Sequence, residues 1–173
     1  MRAVATLVLG GARSGKSAFA EGVMPREYAT YVATARVDPD DAEWRARIAA
    51  HVARRPTGWR TVEPSDLPGF LTTARGPVLV DDVSTWLTGV MDDFGGWDGP
   101  LTDVHRECGR LVEAVAYTPA ELVLVSAEVG LGVVPATRSG RLFRDQLGML
   151  NASIAERCAE VVLLVAGIPL RLR

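Results

Sequence analysis

Short apolar runs alternate along this chain with longer segments whose apolar residues recur at helical spacing. The runs rich in β-branched residues predict strands at 3–9, 28–33, 77–81, 121–126 and 161–165, the last being the final strand. The longer segments predict helices at 14–24, 40–52, 83–91, 103–117 and 139–159. A short strand at 59–62 and a short capped helix at 65–74 complete the pattern, and turn residues mark loops at 94–100 and 128–137.

This order of elements predicts an α/β fold. Apolar strands without polar alternation are typical of a mostly parallel sheet buried between helices, which is a three-layer sandwich. A length of 173 residues fits one domain, so we expect residues 1–173 to form a single nucleotide-binding catalytic unit. In such folds, ligands bind beyond the carboxyl ends of the strands.

Composition narrows the possible partners. The net charge of −2 argues against binding to nucleic acid or to a membrane surface, and no apolar stretch reaches the roughly 20 residues of a membrane span. The run at 3–9 is better explained as a buried strand than as a signal peptide. Cys108 and Cys158 fit neither a zinc spacing nor a disulfide framework, so a reducing cytoplasm is the expected location.

A glycine-rich segment between the first predicted strand and helix matches the phosphate-binding pattern G-x-x-x-x-G-K-[ST]. Its residues are Gly10, Gly11, Ala12, Arg13, Ser14, Gly15, Lys16 and Ser17. Glycines let the backbone curl so that N–H groups face phosphate oxygens, and the positive end of the next helix faces the same anion. Lys16 is expected at the β- and γ-phosphates and the Ser17 hydroxyl at Mg²⁺. The alternative is an ordinary glycine turn, which the position between strand and helix disfavours.

The lysine content of the chain supports the phosphate loop. Lysine and arginine together number 19, and Lys16 is the sole lysine among them. An ammonium is a compact point charge that fits between two phosphates, whereas a guanidinium is a broad planar fork. The position of Lys16 therefore indicates a chemical requirement for an ammonium.

Two acids follow the predicted strand 77–81. A phosphate loop needs an acid at the end of a nearby strand to hold the Mg²⁺ shell, and Asp81 is the first candidate. Asp82 is the weaker one. The alternative for this pair is a plain strand-to-helix turn in which Asp82 caps the following helix.

The two histidines of the chain are His51 and His105. On the predicted helix 40–52, His51 shares a face with Trp44 and Ile48 and lies near Arg47. Spacing alone leaves two interpretations open, a partly buried structural histidine or a nucleophile held among arginines beside a nucleotide.

Ordered motifs run through the whole chain and resemble one family. They are GGARSGKS with Glu21; Tyr31-Val32-Ala33-Thr34-Ala35; Arg47-Ile48, His51, Arg55-Pro56, Trp59, Thr61 and Glu63; Asp81 with Ser84-Thr85-Trp86-Leu87-Thr88; EVGLGVVP at 128–135; and Arg138, Phe143-Arg144-Asp145, Gly148, Asn151, Gly167 and Pro169. This set resembles the bifunctional adenosylcobinamide kinase / adenosylcobinamide-phosphate guanylyltransferases of cobalamin synthesis, the CobU/CobP type. Ala127 stands where many members of that family have asparagine.

The resemblance implies a P-loop fold and two reactions. A nucleotide γ-phosphate, from ATP or GTP, moves to adenosylcobinamide, and GTP then gives GMP to a histidine, here His51, from which the corrinoid phosphate collects it. Besides the phosphate loop, the GTP contacts implied by the motifs are Thr34, Ala35, Arg36, Val52, Ala53, Arg54, Arg55, Glu63 and Asp81. The resemblance also implies Mg²⁺ at Ser17 and Asp81, and a homotrimer with sites between subunits.

Two other functions stay open from the sequence. One is a P-loop kinase of another small molecule, in which His51 is structural. The other is a nucleotide-dependent binding module. A guanine-binding switch would carry an N-K-x-D motif, which this chain, with no lysine besides Lys16, lacks.

Overall fold

A seven-stranded sheet forms the centre of the part of the chain that the computed structural model describes, residues 5–36 and 55–173. The strands are β1 (Ala5–Gly10), β2 (Ala29–Ala33), β3 (Trp59–Val62), β4 (Pro77–Asp81), β5 (Glu121–Ala127), β6 (Glu160–Val165) and β7 (Ile168–Arg171). Their order across the sheet is β3-β2-β4-β5-β1-β6-β7. All neighbours pair parallel except β6 and β7, which are antiparallel. The prediction of a mostly parallel sheet is confirmed.

Helices lie on both faces of this sheet. They are α1 (Lys16–Val23), α2 (Leu67–Thr73), α3 (Val83–Asp93), α4 (Thr102–Tyr117) and α5 (Arg138–Ala155). Leu7 and Leu9 of β1 pack in one core with α2 to α5, whereas Val8 packs in a second core with Ala20 of α1. Successive side chains of a strand point to opposite faces, so β1 joins both cores and the three-layer sandwich is confirmed. No helix within the described ranges is long and apolar enough to cross a membrane.

The end of the sheet differs from the sequence prediction. Residues 161–165 were expected to be the last strand, but β7 follows β6 as an edge strand. Ala166 and Gly167, with φ of 52° and 79°, turn the chain back between them. The pattern of residues 168–171 did not predict β7, because Pro169 is a poor strand former; proline within a sheet is found mainly on edge strands such as this one.

Each described helix differs from its predicted bounds by one or more residues, and two of these differences have a visible cause. The segment 139–159 remains helical only to Ala155, because the Ala159 amide donates to the Ala5 carbonyl at 2.9 Å and begins the approach to β1. The first helix begins at Lys16 and not at residue 14, because Gly15 has a φ of 91° and belongs to the glycine loop. The predicted helix 40–52 lies outside the described residues.

Asp82 caps α3, as the alternative interpretation of the acid pair expected. Its carboxylate accepts from the Thr85 amide at 2.6 Å and from the Ser84 hydroxyl at 2.8 Å. We expect Asp82→Ala to lower the free energy of unfolding by about 1 kcal/mol, since a helix amide loses its partner. Urea unfolding measures this effect. Asp98→Ala, which removes an acid whose side chain is 97% exposed, serves as control, and an equal loss in both variants would contradict the capping role.

Both cysteines are free thiols. Burial raises the pKa of Cys158 to about 12, against a smaller lowering by Arg173, and burial with the charge of Glu107 raises the pKa of Cys108 to about 11. At pH 8, on the order of one Cys158 thiol in ten thousand is then ionised. We expect iodoacetamide to leave Cys158 unmodified in the folded protein and to modify it in urea, as measured by mass spectrometry. Rapid labelling of the folded protein would contradict this expectation.

Candidate nucleotide site

The glycine loop is tightly wound between β1 and α1. A Cβ atom on Gly10 would lie 2.3 Å from the Ser14 hydroxyl oxygen, so a side chain at Gly10 would displace Ser14. Arg13 and Gly15 have positive φ, 56° and 91°. Left-handed residues alternating with ordinary ones turn successive amides toward one side, which is the geometry of a phosphate cradle.

Neighbouring elements brace this loop on two sides. The Gly167 amide, in the turn between β6 and β7, donates to the Ser14 carbonyl at 2.9 Å. The Glu128 amide, just after β5, donates to the Gly10 carbonyl at 3.0 Å. The loop backbone is therefore tied to the sheet on two sides.

The eight predicted residues of the loop come together as one site. Gly11, Ala12, Arg13 and Gly15 are exposed, while Lys16 and Ser17 are half-buried at the start of α1. The Lys16 ammonium lies 3.4 Å from the Gly11 carbonyl oxygen, so it reaches back over the loop. The positive end of α1 and this ammonium lie at the same exposed loop, which suits an anion.

Asp81 approaches the loop although β4 is not a neighbour of β1. Strand β5 lies between them, and α1 spans the gap, so that the Ser17 hydroxyl donates to Asp81 Oδ1 at 3.4 Å. Ligand oxygens of an octahedral Mg²⁺ lie roughly 2.9–4.2 Å apart, so this pair fits one ion. Within the described ranges no cluster of three or more His, Cys, Asp or Glu side chains suits a metal. A two-oxygen site is typical of Mg²⁺ that is held mainly by nucleotide phosphates and water.

Tyr31 completes this pair, and the sequence singled it out only as part of a motif. Its ring is buried on β2, and its hydroxyl donates to Asp81 Oδ2 at 2.9 Å. Arg55 covers the ring, with Cζ 3.3 Å from the ring centroid, and donates to the Thr61 hydroxyl at 2.9 Å. Burial first, and then the charge of Asp81, raise the pKa of Tyr31 far above its usual value. Tyr31 therefore stays protonated and donates to Asp81 at neutral pH.

Thr34 is committed to the backbone behind the site. Its hydroxyl donates to the Asp82 carbonyl at 2.7 Å and accepts from the Asp82 amide at 2.9 Å. These two hydrogen bonds to the Asp82 backbone fix the turn that follows Asp81. The Thr34 hydroxyl is thus engaged with the Asp82 backbone.

A second group of predicted site residues lines a cavity of about 690 Å³, which lies beside helix α3 at the ends of β2 and β3. These residues are Ala35, Arg36 and Glu63. Arg36 forms a bidentate pair with Asp93, which raises the pKa of Arg36 and lowers that of Asp93. Both side chains are more than half exposed, so the pair adds little stability. A Cβ on Gly89 would lie 3.1 Å from the guanidinium, so glycine lets Arg36 lie along α3.

The remaining predicted site residues lie outside the described ranges. They are His51, Val52, Ala53 and Arg54. The other histidine, His105, has its Nε2 2.8 Å from Gln146 Oε1 and links α4 to α5. That contact gives His105 a structural role between two helices.

Two residues of the sequence motifs form hydrogen bonds to the carboxyl end of β5. Asn151 on α5 donates to the Ala127 carbonyl at 3.0 Å and accepts from the Ser126 hydroxyl at 2.7 Å. Ser84 on α3 lies 3.4 Å from the Ala127 amide. These bonds fix the end of β5, from which Glu128 reaches the phosphate loop.

The sheet order and the braced glycine loop define a P-loop nucleotide-binding protein of the α/β class. The family model described as "Cobinamide kinase / cobinamide phosphate guanyltransferase" matches residues 6–172. The chain belongs to this family.

Similar proteins in three bacteria bear names of one kind. The "Bifunctional adenosylcobalamin biosynthesis protein CobP" of Pseudomonas aeruginosa is 42% identical, over 96% of both chains. The proteins named "Bifunctional adenosylcobalamin biosynthesis protein CobU" of Escherichia coli and Salmonella typhimurium are 38% and 36% identical, each over 96% of this chain and 98% of the relative. The solved structure titled "P4 protein from bacteriophage phi13" shares 15% identity at a TM-score of 0.47, covering 97% of this chain and 53% of the other, which is too distant to carry an argument.

Proposed function

We propose that this protein phosphorylates adenosylcobinamide and then transfers GMP from GTP to adenosylcobinamide phosphate, which gives adenosylcobinamide-GDP. Family membership supports the pair of reactions. The observation that carries the proposal is the hydrogen bond from the Ser17 hydroxyl, at the end of the phosphate loop, to the Asp81 carboxylate. A hydroxyl and a carboxylate placed in this way suit phosphate transfer with a metal ion.

In the kinase step, the protein contributes positioning and charge. The amides of residues 10–17 and the Lys16 ammonium stabilise negative charge on the β- and γ-phosphates. The acceptor hydroxyl of adenosylcobinamide attacks the γ-phosphorus and loses its proton to solvent. The bond from the γ-phosphorus to the bridging oxygen breaks, and the nucleoside diphosphate leaves with that oxygen. ATP and GTP are both proposed as donors, since the loop contacts only the phosphates that the two nucleotides share.

Ser17 and Asp81 are the proposed ligands of Mg²⁺. When bound, the ion neutralises charge on the phosphate oxygens. The Ser17 hydroxyl and Asp81 Oδ1 face each other across a gap of the right size, and Tyr31 occupies the other carboxylate oxygen.

In the transferase step, His51 is the proposed nucleophile. A ring nitrogen attacks the α-phosphorus of GTP, and pyrophosphate leaves with the electrons of the broken P–O bond. The phosphate of the corrinoid then attacks the same phosphorus, the P–N bond breaks, and His51 is regenerated. Two easier displacements replace one difficult transfer.

The remaining residues are proposed to hold the GTP. They are Thr34, Ala35, Arg36, Val52, Ala53, Arg54, Arg55 and Glu63. Four of them, residues 34–36 and 63, line one cavity of about 690 Å³, which is within the usual range for small ligands. The Arg55 guanidinium lies on Tyr31 beside Asp81, which favours a contact with phosphate.

We also propose that the protein is a cytoplasmic homotrimer. Val165, Ile168, Leu170 and Leu172 are exposed apolar side chains on β6 and β7 and the residue that follows, and assembly would bury surface of this kind. Light scattering should give three times the chain mass of 18.5 kDa. The free thiols Cys108 and Cys158 suit a reducing compartment.

Labelled nucleotides test the two reactions separately. With Mg²⁺ and GTP labelled at the α-phosphorus, we expect label on the denatured protein that is labile in acid and stable in base. Adding adenosylcobinamide phosphate should discharge that label into a corrinoid product. With nucleotide labelled at the γ-phosphorus, label should move to adenosylcobinamide. Absence of protein-bound label, with γ-phosphate transfer intact, would leave a kinase and refute the guanylyltransferase half.

A further inference from the structure

Four side chains form a continuous row across the α1 face of the sheet. The Ser17 hydroxyl donates to Asp81 at 3.4 Å, and Asp81 accepts from the Tyr31 hydroxyl at 2.9 Å. Arg55 Cζ lies over the Tyr31 ring, 3.3 Å from its centroid. One end of the row is the phosphate loop. The other end is Arg55, where the described chain resumes, four residues after His51.

We propose that Tyr31 is a positioning residue for both halves of the reaction, an inference that rests on the proposed function. Its hydroxyl holds the Asp81 carboxylate so that Oδ1 faces Ser17 and the Mg²⁺ position. Its ring holds the guanidinium of Arg55 and thereby one end of the segment that carries His51.

The hydroxyl role follows from the geometry of the carboxylate. A free aspartate rotates its two oxygens between partners, but a bond of 2.9 Å from Tyr31 to Oδ2 selects one orientation and leaves Oδ1 toward Ser17. Groups that orient a metal ligand in this way commonly change metal affinity tenfold to a hundredfold when removed. Tyr31 is only 4% exposed, so water would replace its hydroxyl poorly.

The ring role follows from the position of Arg55. A guanidinium over an aromatic face is attracted to the π-electrons, and the buried ring offers a fixed platform. Arg55 Nη1 is further held by Thr61 on β3. The Tyr31 ring and Thr61 of β3 together fix the position of the Arg55 side chain.

The competing explanation is that Tyr31 only fills the core beneath α1, where it packs with Ala20, Met24 and Leu79. Phenylalanine would fill that space equally well. The hydroxyl and the ring can therefore be removed separately, with Tyr31→Phe and Tyr31→Leu. Tyr117→Phe removes a hydroxyl from a residue that is 80% exposed and serves as the matched control.

The first readout does not use activity. The melting temperature is followed as Mg²⁺ is added at fixed GTP, which gives the Mg²⁺ concentration at half-maximal stabilisation. We expect Tyr31→Phe to raise this concentration about tenfold and, because Asp81 loses one hydrogen bond, to lower the melting temperature without Mg²⁺ and nucleotide only slightly, whereas Tyr117→Phe should behave like wild type. Asp81→Asn should raise it at least as much, and the double variant Tyr31→Phe with Asp81→Asn no further, because both act on one group. An unchanged Mg²⁺ dependence in Tyr31→Phe would overturn the hydroxyl role.

The second readout is the α-phosphorus label on the protein. At saturating Mg²⁺ we expect Tyr31→Phe to regain wild-type labelling and Tyr31→Leu to stay at least tenfold below it. Equal labelling of both variants would overturn the ring role. If wild type itself took no label, the proposed transferase function would fail, while the Mg²⁺ titration would still decide the role of the hydroxyl.

Discussion

Lys16→Arg is expected to lower the rate of phosphate transfer to adenosylcobinamide about a hundredfold or more, although the charge is retained. The Lys16 ammonium lies 3.4 Å from the Gly11 carbonyl, folded over a tightly wound loop. A planar guanidinium is larger and more directional, and it cannot take the same place between two phosphates. Removal of one well-placed charge donor from a phosphate or oxyanion site typically costs a factor of 10²–10³.

Steady-state kinetics with both corrinoid and nucleotide varied measures this loss. Arg26→Lys makes the reverse exchange at an exposed position after α1, and its rate should match that of wild type. Lys16→Ala should be at least as impaired as Lys16→Arg. If Lys16→Arg kept more than about a third of the wild-type rate, the need for a compact ammonium would be refuted, and with it the argument from the sole lysine.

His51→Ala is expected to abolish the GMP label proposed to form on the protein, a loss of at least about a thousandfold, because the proposed attacking nitrogen is gone. Nucleotide binding should persist, since the phosphate loop is braced by Gly167 and Glu128. The α-phosphorus label on denatured protein gives the first quantity, and Mg²⁺·GTP-dependent melting gives the second.

His105→Ala is the matched control for this experiment, because His105 is the other histidine of the chain. It bonds to Gln146 between α4 and α5, and its loss should lower stability modestly and leave the labelling intact. Label retained in His51→Ala and lost in His105→Ala would reverse the assignment. Label retained in both would place the GMP on another residue type.

The phosphate loop was predictable because its determinants are local in sequence. The glycines, Lys16 and Ser17 lie within eight consecutive residues. Their spacing alone determines which amides and side chains face the same side of the loop. The strands 59–62 and 77–81 were predicted with their observed bounds, since short β-branched runs between turn residues leave little choice.

Contacts between distant segments could not be predicted in this way. Tyr31 and Asp81 are 50 positions apart, and their bond depends on β2 and β4 being neighbours in the sheet. Strand β7 depends on a left-handed Ala166, a conformation that alanine rarely adopts. Hydrophobic periodicity predicts neither the order of the strands in the sheet nor a turn of this kind. The family resemblance indicated the site residues that periodicity missed, without showing which of them touch.

The sheet order gives the two ends of the nucleotide site unequal resistance to local unfolding. Strands β1 and β4, which carry the phosphate loop and Asp81, flank the fully covered β5, whereas β2 and the edge strand β3 lead to the cavity of Arg36 and Glu63. All four residues of β3 are half-buried or exposed. Amide hydrogens of β1, β5 and β4 should therefore exchange with solvent only on global unfolding, while those of β3 exchange through smaller openings. On warming, residues 34–36 and 63, proposed above as GTP contacts, should therefore separate before the phosphate loop does.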